Sequence, residues 1–426
     1  MNARTTIQGA LAPSSAIPIA YFAFAHLSLA GALLALVLWP GLPGASFYHP
    51  RMVALVHLLT LGWLSGSILG AFYIVAPLAL RLPMPARNAD WVAFAAFVLG
   101  TTGMVSHFWI NTYDGMAWSA GLVAAAVAWV GGRAWLRLPR SGAPWPVGLH
   151  VALAFFNMLS AAALGILLGL DRSRGFLGVS PLALMFLHAH LAAIGWATMM
   201  VVGLSYRLIP MMLPAAMPAG RRLALSAVLI ESGLVVLAVT LLAAPAWVGL
   251  AGGLITAGLA SFVVQIRRTL KRRLPRPPAL PRRDWSTWQT HAALLWLVVA
   301  TGLGMGLSIG VPADYRLTLM WLYGVAGLAG FLAQIVVGMQ GRLVPLYAWY
   351  RALAACGAPP SRAANALPSA RFARPIFIAW SLGVPGLALG LAAAHQATIA
   401  LSAACLLAGL CLGAAYLAHM IRTARS

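Results

Sequence analysis

Two histidines occupy matching positions in two copies of one motif, each inside a stretch apolar enough to cross a membrane. The first copy contains, in order, His57, Gly62, Trp63, Gly70, Tyr73 and Pro77. The second copy repeats these residue types 133 positions later, as His190, Gly195, Trp196, Gly203, Tyr206 and Pro210. Ionisable side chains inside a membrane are costly and mark functional sites by default. The repeat therefore predicts that His57 and His190 bind a cofactor.

A third copy follows the second after 135 positions and lacks the histidine. It retains Gly330, Phe331, Gly338 and Pro345, and Val325 stands at the histidine position. The glycines of the first copy, Gly62, Gly66 and Gly70, lie four residues apart on one helix face. Such a face suits either close packing of a neighbouring helix or a slot for a planar macrocycle. The spacing is compatible with both.

His188 lies two residues before His190. Residues at this spacing on a helix point about 200° apart, so the two imidazoles face opposite sides and suit different cofactors. His57 and His190 both lie roughly two helical turns from the predicted external end of their spans. They could therefore meet as the axial pair of one haem iron. The alternative is that each histidine only forms a hydrogen bond to a neighbouring helix. A looser echo places His26, His150 and His291 in the first span of each repeat.

Glu231 is the only glutamate of the chain and falls within a predicted span. A carboxyl group inside a membrane is expensive unless it is neutral or paired. We consider Glu231 a candidate proton relay toward the cofactor. The alternative is a hydrogen bond to a serine or threonine of a neighbouring helix.

The composition indicates an all-α integral membrane protein. Hydrophobic residues make up 62% of the chain and charged residues 8%, whereas soluble domains carry about 25% charged residues. Twelve stretches are long enough to cross the membrane. They lie near 17–40, 51–79, 91–110, 115–136, 146–169, 180–209, 223–244, 247–266, 287–310, 316–339, 375–393 and 397–421. We expect one membrane domain, 1–426, made of three parallel four-helix repeats, 17–136, 146–266 and 287–421.

The net charge of +22 follows the membrane topology rather than a nucleic-acid surface. Most Lys and Arg residues lie at the two ends of the chain and in loops after even-numbered spans, as in 267–283. Cytoplasmic loops of membrane proteins are rich in these residues. We expect both termini in the cytoplasm of a bacterial inner membrane, and membrane lipid as a partner without nucleic acid. The chain has no C-x-x-C-H motif, which argues against a covalent c-type haem.

These residues resemble the catalytic subunit superfamily of haem–copper oxidases and nitric oxide reductases. The segment 51–81 resembles the second helix of the cbb3-type branch, where a histidine binds low-spin haem. The segment 188–210 resembles the family's H-x-H helix, where the two histidines bind a high-spin and a low-spin haem. The resemblance implies three four-helix arcs, a haem b held by His57 and His190, and a second haem or metal at His188. The same motif also resembles the NnrS family, twelve-helix membrane proteins linked to haem, copper and nitric oxide response.

The chain departs from the haem–copper oxidases at the copper site. The family's H-x-H pair belongs to the tenth helix and stands here in the sixth, and the span 223–244 has no histidine for copper. We therefore expect haem-dependent electron transfer, or oxidoreductase-like binding and reduction of nitric oxide or oxygen, without a recognisable copper-B site. A cytochrome c-type or other electron-donor subunit is the expected partner. Two alternatives stay open: an NnrS-like non-enzymatic protein of haem, copper or nitric oxide stress, and a cofactor-free transporter on the same scaffold.

Overall fold

In the computed structural model, which describes residues 13, 15–44, 46–275, 284–357 and 359–424, twelve helices are long and apolar enough to cross a membrane. They are α1 (Ile17–Leu38), α2 (Pro50–Ala79), α3 (Asn88–Ile110), α4 (Met116–Arg137), α5 (Trp145–Arg174), α6 (Pro181–Met212), α7 (Ala224–Ala243), α8 (Val248–Leu270), α9 (Trp285–Ile309), α10 (Ala313–Cys356), α11 (Ala370–Ala392) and α12 (Gln396–Thr423). A helix satisfies every backbone polar group within its own segment, which lipid requires. For the described residues, the predicted all-α fold with twelve helices able to span a membrane is confirmed.

The tenth helix is longer than its apolar stretch predicts. Its predicted end is residue 339, but α10 continues to Cys356. The residues beyond 339 include the polar Gln340 and Arg342. Arg342 forms an ion pair with Asp284. A fall in hydropathy indicates where a helix stops contacting lipid. The helix itself can continue beyond that point when its polar side chains find partners, as Arg342 does in α10.

All three motif copies form a π-helical segment. These segments are Leu58–Ser65, Leu191–Thr198 and Ala326–Ala333, and each begins directly after His57, His190 or Val325. In the first two, a hydroxyl bonds to the carbonyl oxygen five residues earlier, over 2.9 Å in each case: Ser65 to Thr60, and Thr198 to Ala193. π-Helical segments are rare and frequently occur at functional sites. The third copy has this geometry without a histidine, so the backbone shape belongs to the motif itself.

Two compact units divide the chain. The first contains α1, α2, the beginning of α9, and α10 to α12; the second contains α3 to α8 and the end of α9. His57 belongs to the first unit, and His188, His190 and Glu231 belong to the second. The pairing of His57 with His190 therefore stays a prediction.

Two of the three motif helices, α2 and α10, are the most buried of the twelve described spans. In α2 and α10, 61% of the most apolar window is buried inside the protein, compared with 17% in α9. Large side chains with almost no exposure lie on the first two motif copies: Trp63 and Tyr73 on α2, and Trp196 and Tyr206 on α6. The copies therefore face other helices rather than lipid. Their side chains are held by packing.

Candidate functional site

His57 and His190 make the same backbone hydrogen bond. The Nδ1 atom of His57 lies 2.8 Å from the carbonyl oxygen of Val53, and that of His190 lies 2.7 Å from the carbonyl oxygen of Phe186. A carbonyl oxygen only accepts, so Nδ1 donates the proton, and the neutral ring holds its lone pair on Nε2. Metal-binding histidines commonly donate one ring N–H to a backbone carbonyl in this way. Both half-buried imidazoles thus have the tautomer that an axial ligand needs.

His188 points to a neighbouring helix of the second unit. Its Nδ1 donates to the carbonyl oxygen of Ala161 on α5 over 2.9 Å. Its ring also lies against Gly165, where an added Cβ would come within 3.0 Å of the imidazole. The bond again leaves the lone pair on Nε2. His188 therefore differs from His190 in its partner, as the opposite faces of the two side chains predict.

The motif glycines are covered by side chains of the preceding helix. In the first unit, Ser28 fills the space above Gly62 and Tyr21 the space above Gly70. In the second unit, Asn157 lies over Gly195 and His150 over Gly203. In the third copy, Trp296 covers Gly330 and Thr290 covers Gly338. Of the two explanations for the glycines, close helix packing accounts for these positions, and a slot for a macrocycle does not.

The aromatic contacts show which residues of α1 and α5, the helices that precede the first two motif copies, are structural counterparts. Trp63 packs against His26 with ring centroids 5.0 Å apart, and its counterpart Trp196 packs against Phe155 at 5.2 Å. Tyr73 pairs in the same way with Tyr21 at 6.3 Å, and Tyr206 with His150 at 5.6 Å. The packing counterpart of His150 is therefore Tyr21, and that of His26 is Phe155. His26, His150 and His291 lie in α1, α5 and α9, as the sequence predicts, but His26 and His150 are not packing counterparts of each other.

Glu231 is bonded to an amide. Asn157 of α5 donates from Nδ2 to Oε2 of Glu231 over 2.7 Å, and also to the carbonyl oxygen of Leu153 over 3.0 Å. Asn157 is fully buried, whereas Glu231 is half-buried. The same asparagine covers Gly195, five residues after His190. Glu231 is thus linked through one side chain to the π-helical segment of α6.

A second polar cluster was not predicted from sequence. His150 of α5, Tyr206 of α6 and Ser226 of α7 are all fully buried. Ser226 Oγ lies 2.9 Å from His150 Nε2 and 3.0 Å from the Tyr206 hydroxyl. His150 Nδ1 donates to the carbonyl oxygen of Pro146 over 2.7 Å, so Nε2 accepts from the serine. Tyr206 and His150 stood out in the sequence, but serine is too common in membrane helices for Ser226 to do so.

Comparison with models of known protein families and with curated proteins yields no match for this chain.

Proposed function

We propose that this chain is a haem b-binding membrane protein in which His57 and His190 are axial ligands to haem iron. The observation that carries the proposal is the shared geometry of the two histidines. Both occur at the same position of a repeated motif, directly before a π-helical segment. Both donate from Nδ1 to the carbonyl oxygen four residues earlier.

The donor chemistry of these residues fits haem. Neutral imidazole with a lone pair on Nε2 is a common axial ligand, and two such rings make a low-spin iron centre. A bound haem would supply an iron that exchanges electrons or, with one axial position open, takes a small gas. His57 and His190 would hold it, and His188 would hold a second haem or metal. The proposed activity is electron transfer, or the binding and reduction of nitric oxide or oxygen.

The proposed arrangement is that of a haem–copper oxidase catalytic subunit without its copper-B site. Its three parallel repeats are supported by the π-helical segments, which recur at the spacing of the sequence motif. The proposal places the protein in a bacterial inner membrane with both termini in the cytoplasm. An electron donor, such as a cytochrome c-type subunit, would be its partner.

The first experiment is an optical spectrum of the purified protein, oxidised and then reduced with dithionite. Sharp reduced bands of six-coordinate b haem are expected, since two imidazoles complete the iron coordination. A spectral change on adding carbon monoxide would indicate a haem iron with one open axial position. This result is expected if His188 holds a second haem. A colourless protein after haem-supplemented expression would overturn the proposal in favour of a cofactor-free transporter.

Histidine variants assign the ligands. His57→Ala and His190→Ala are each expected to abolish the six-coordinate spectrum, because either change removes an axial ligand. His395→Ala is the matched control, since His395 is an exposed histidine whose ring bonds to Thr398 at the start of α12. Haem content per chain shows whether both histidines serve one haem, as the sequence predicts. An unchanged spectrum in His57→Ala would show that the low-spin assignment is wrong.

Turnover separates an enzyme from an NnrS-like protein. An oxidoreductase is expected to consume nitric oxide or oxygen when it is supplied with a reduced donor. A haem-loaded protein that binds nitric oxide without consuming either gas would instead support the non-enzymatic alternative.

A further inference from the structure

A cavity of about 30 Å³ lies inside the first unit, among α1, α2, α9, α10, α11 and α12. Its walls include Trp63, Trp380, Gln289 and His26. Among the residues that the structure describes, no Asp, Glu, Lys or Arg side chain lines it. The cavity is therefore uncharged, but it is not apolar.

Several buried polar atoms of the lining side chains have no hydrogen-bond partner among the described residues. They are the indole N–H groups of Trp63 and Trp380, and both the oxygen and the nitrogen of the Gln289 amide. These side chains are 0%, 2% and 2% exposed, respectively. Buried polar groups in proteins are nearly always paired, either with protein or with ordered water. Their partner is therefore expected to be a molecule inside the cavity.

His26 adds an acceptor. Its Nδ1 donates to the carbonyl oxygen of Phe22 over 2.8 Å, which leaves the lone pair of a neutral ring on Nε2. The cavity thus offers donors from Trp63, Trp380 and Gln289, and acceptors from Gln289 and His26. An occupant must both accept and donate hydrogen bonds. An anion would find no positive charge there, and an apolar gas would leave the indole N–H groups unpaired.

We infer that the cavity binds small uncharged hydrogen-bonding molecules and holds a cluster of ordered waters. A buried water needs about 10–15 Å³ of such space and two to four polar partners. The cavity volume of about 30 Å³ accommodates two or three waters. The inference does not depend on haem, because the described lining residues of the cavity include neither His57 nor any residue of the second unit.

The second motif copy provides an internal comparison. Trp196 is the counterpart of Trp63 and is equally buried, at 1% exposure. It packs against Phe155, whereas Trp63 packs against His26. Trp196 does not line this cavity. Trp63 and Trp196 therefore occupy the same motif position and are similarly buried. Of the two, Trp63 is predicted to contact water and Trp196 is not.

Radiolytic hydroxyl-radical labelling of the full chain tests the inference, because radicals formed from bound water modify the side chains that touch it. Mass spectrometry is expected to find Trp63 and Trp380 oxidised several-fold faster than Trp196. Equal and slow oxidation of all three tryptophans would show that the cavity holds no water.

A pair of variants tests which group holds the water. Gln289→Leu is expected to slow the labelling of Trp63 and Trp380, because it removes a donor and an acceptor from the cavity. Gln334→Leu is the matched control, since the Gln334 amide is also buried without a partner but does not line the cavity. Helical circular dichroism verifies that both variants fold. Fast labelling that survives Gln289→Leu would overturn the assignment of water to this amide.

Discussion

Four buried or half-buried histidines donate from Nδ1 to the carbonyl oxygen four residues earlier: His26, His57, His150 and His190. This bond is local, so it fixes the tautomer without identifying a ligand. The surroundings distinguish the four. The Nε2 atom of His150 accepts a hydrogen bond from Ser226 and so already has a partner within the protein. His26 lines the cavity of the first unit. Only His57 and His190 directly precede a π-helical segment, which makes them the best candidates for haem ligands.

The hydrogen bond between Asn157 and Glu231 predicts how substitutions of Glu231 change the stability of the protein. Glu231→Leu removes the acceptor of the Asn157 amide and is expected to lower the free energy of unfolding by about 1–3 kcal/mol, the cost of an unpaired buried donor. Glu231→Gln retains an acceptor and is expected to change stability by less than about 1 kcal/mol. Unfolding in mixed detergent micelles measures both. A leucine variant as stable as the wild type would show that the bond contributes nothing.

The glutamine variant also tests the proposed proton relay. It cannot ionise, so a relay through Glu231 predicts the loss of proton-linked activity at nearly unchanged stability. If Glu231→Gln retains full proton-linked activity, then Glu231 is only a hydrogen-bonding partner of Asn157.

Each motif helix packs closely against the preceding helix where side chains of that helix contact the motif glycines. Asn157 over Gly195 is the most firmly anchored of these contacts in the second unit, because the same side chain also bonds to Glu231 and to the backbone of α5. An asparagine anchored at two points cannot move aside easily. Glycine at this position thus allows α5 and α6 to approach closely.

Gly195→Ala is expected to destabilise the protein by about 1–3 kcal/mol, because overpacking forces neighbouring side chains to shift. An added Cβ would lie 2.6 Å from the amide carbon of Asn157. Gly253→Ala is the matched control, since nothing lies within 4 Å of a Cβ at Gly253 on α8. Alanine should stabilise that helix by up to about 1 kcal/mol. Equal stability changes in the two variants, measured by unfolding, would contradict the packing explanation.

The orientation of the whole molecule rests on the distribution of its basic residues. The predicted topology places loops after even-numbered helices in the cytoplasm, where Lys and Arg are enriched. Cys356, at the end of α10, is exposed and lies on this predicted side. It provides a natural reporter of orientation.

A membrane-impermeant maleimide is expected to label Cys356 in inverted membrane vesicles but not in intact spheroplasts, because the reagent reaches only the exposed face. Cys356→Ser is the control and should abolish this labelling, since the other two cysteines lie within α12. Labelling from the outside of intact spheroplasts would reverse the predicted topology and place both termini outside.

The sequence by itself determined the twelve membrane helices and the three motif copies. Membrane insertion depends on the length and polarity of each local stretch, so these properties can be read without knowing any neighbour. It also indicated Glu231 and the histidines as candidates. Only the tertiary structure decided that Asn157 is the partner of Glu231, that side chains cover the motif glycines, and that polar atoms meet in an uncharged cavity. Such pairings join residues far apart in the chain, and their distances depend on how the helices pack.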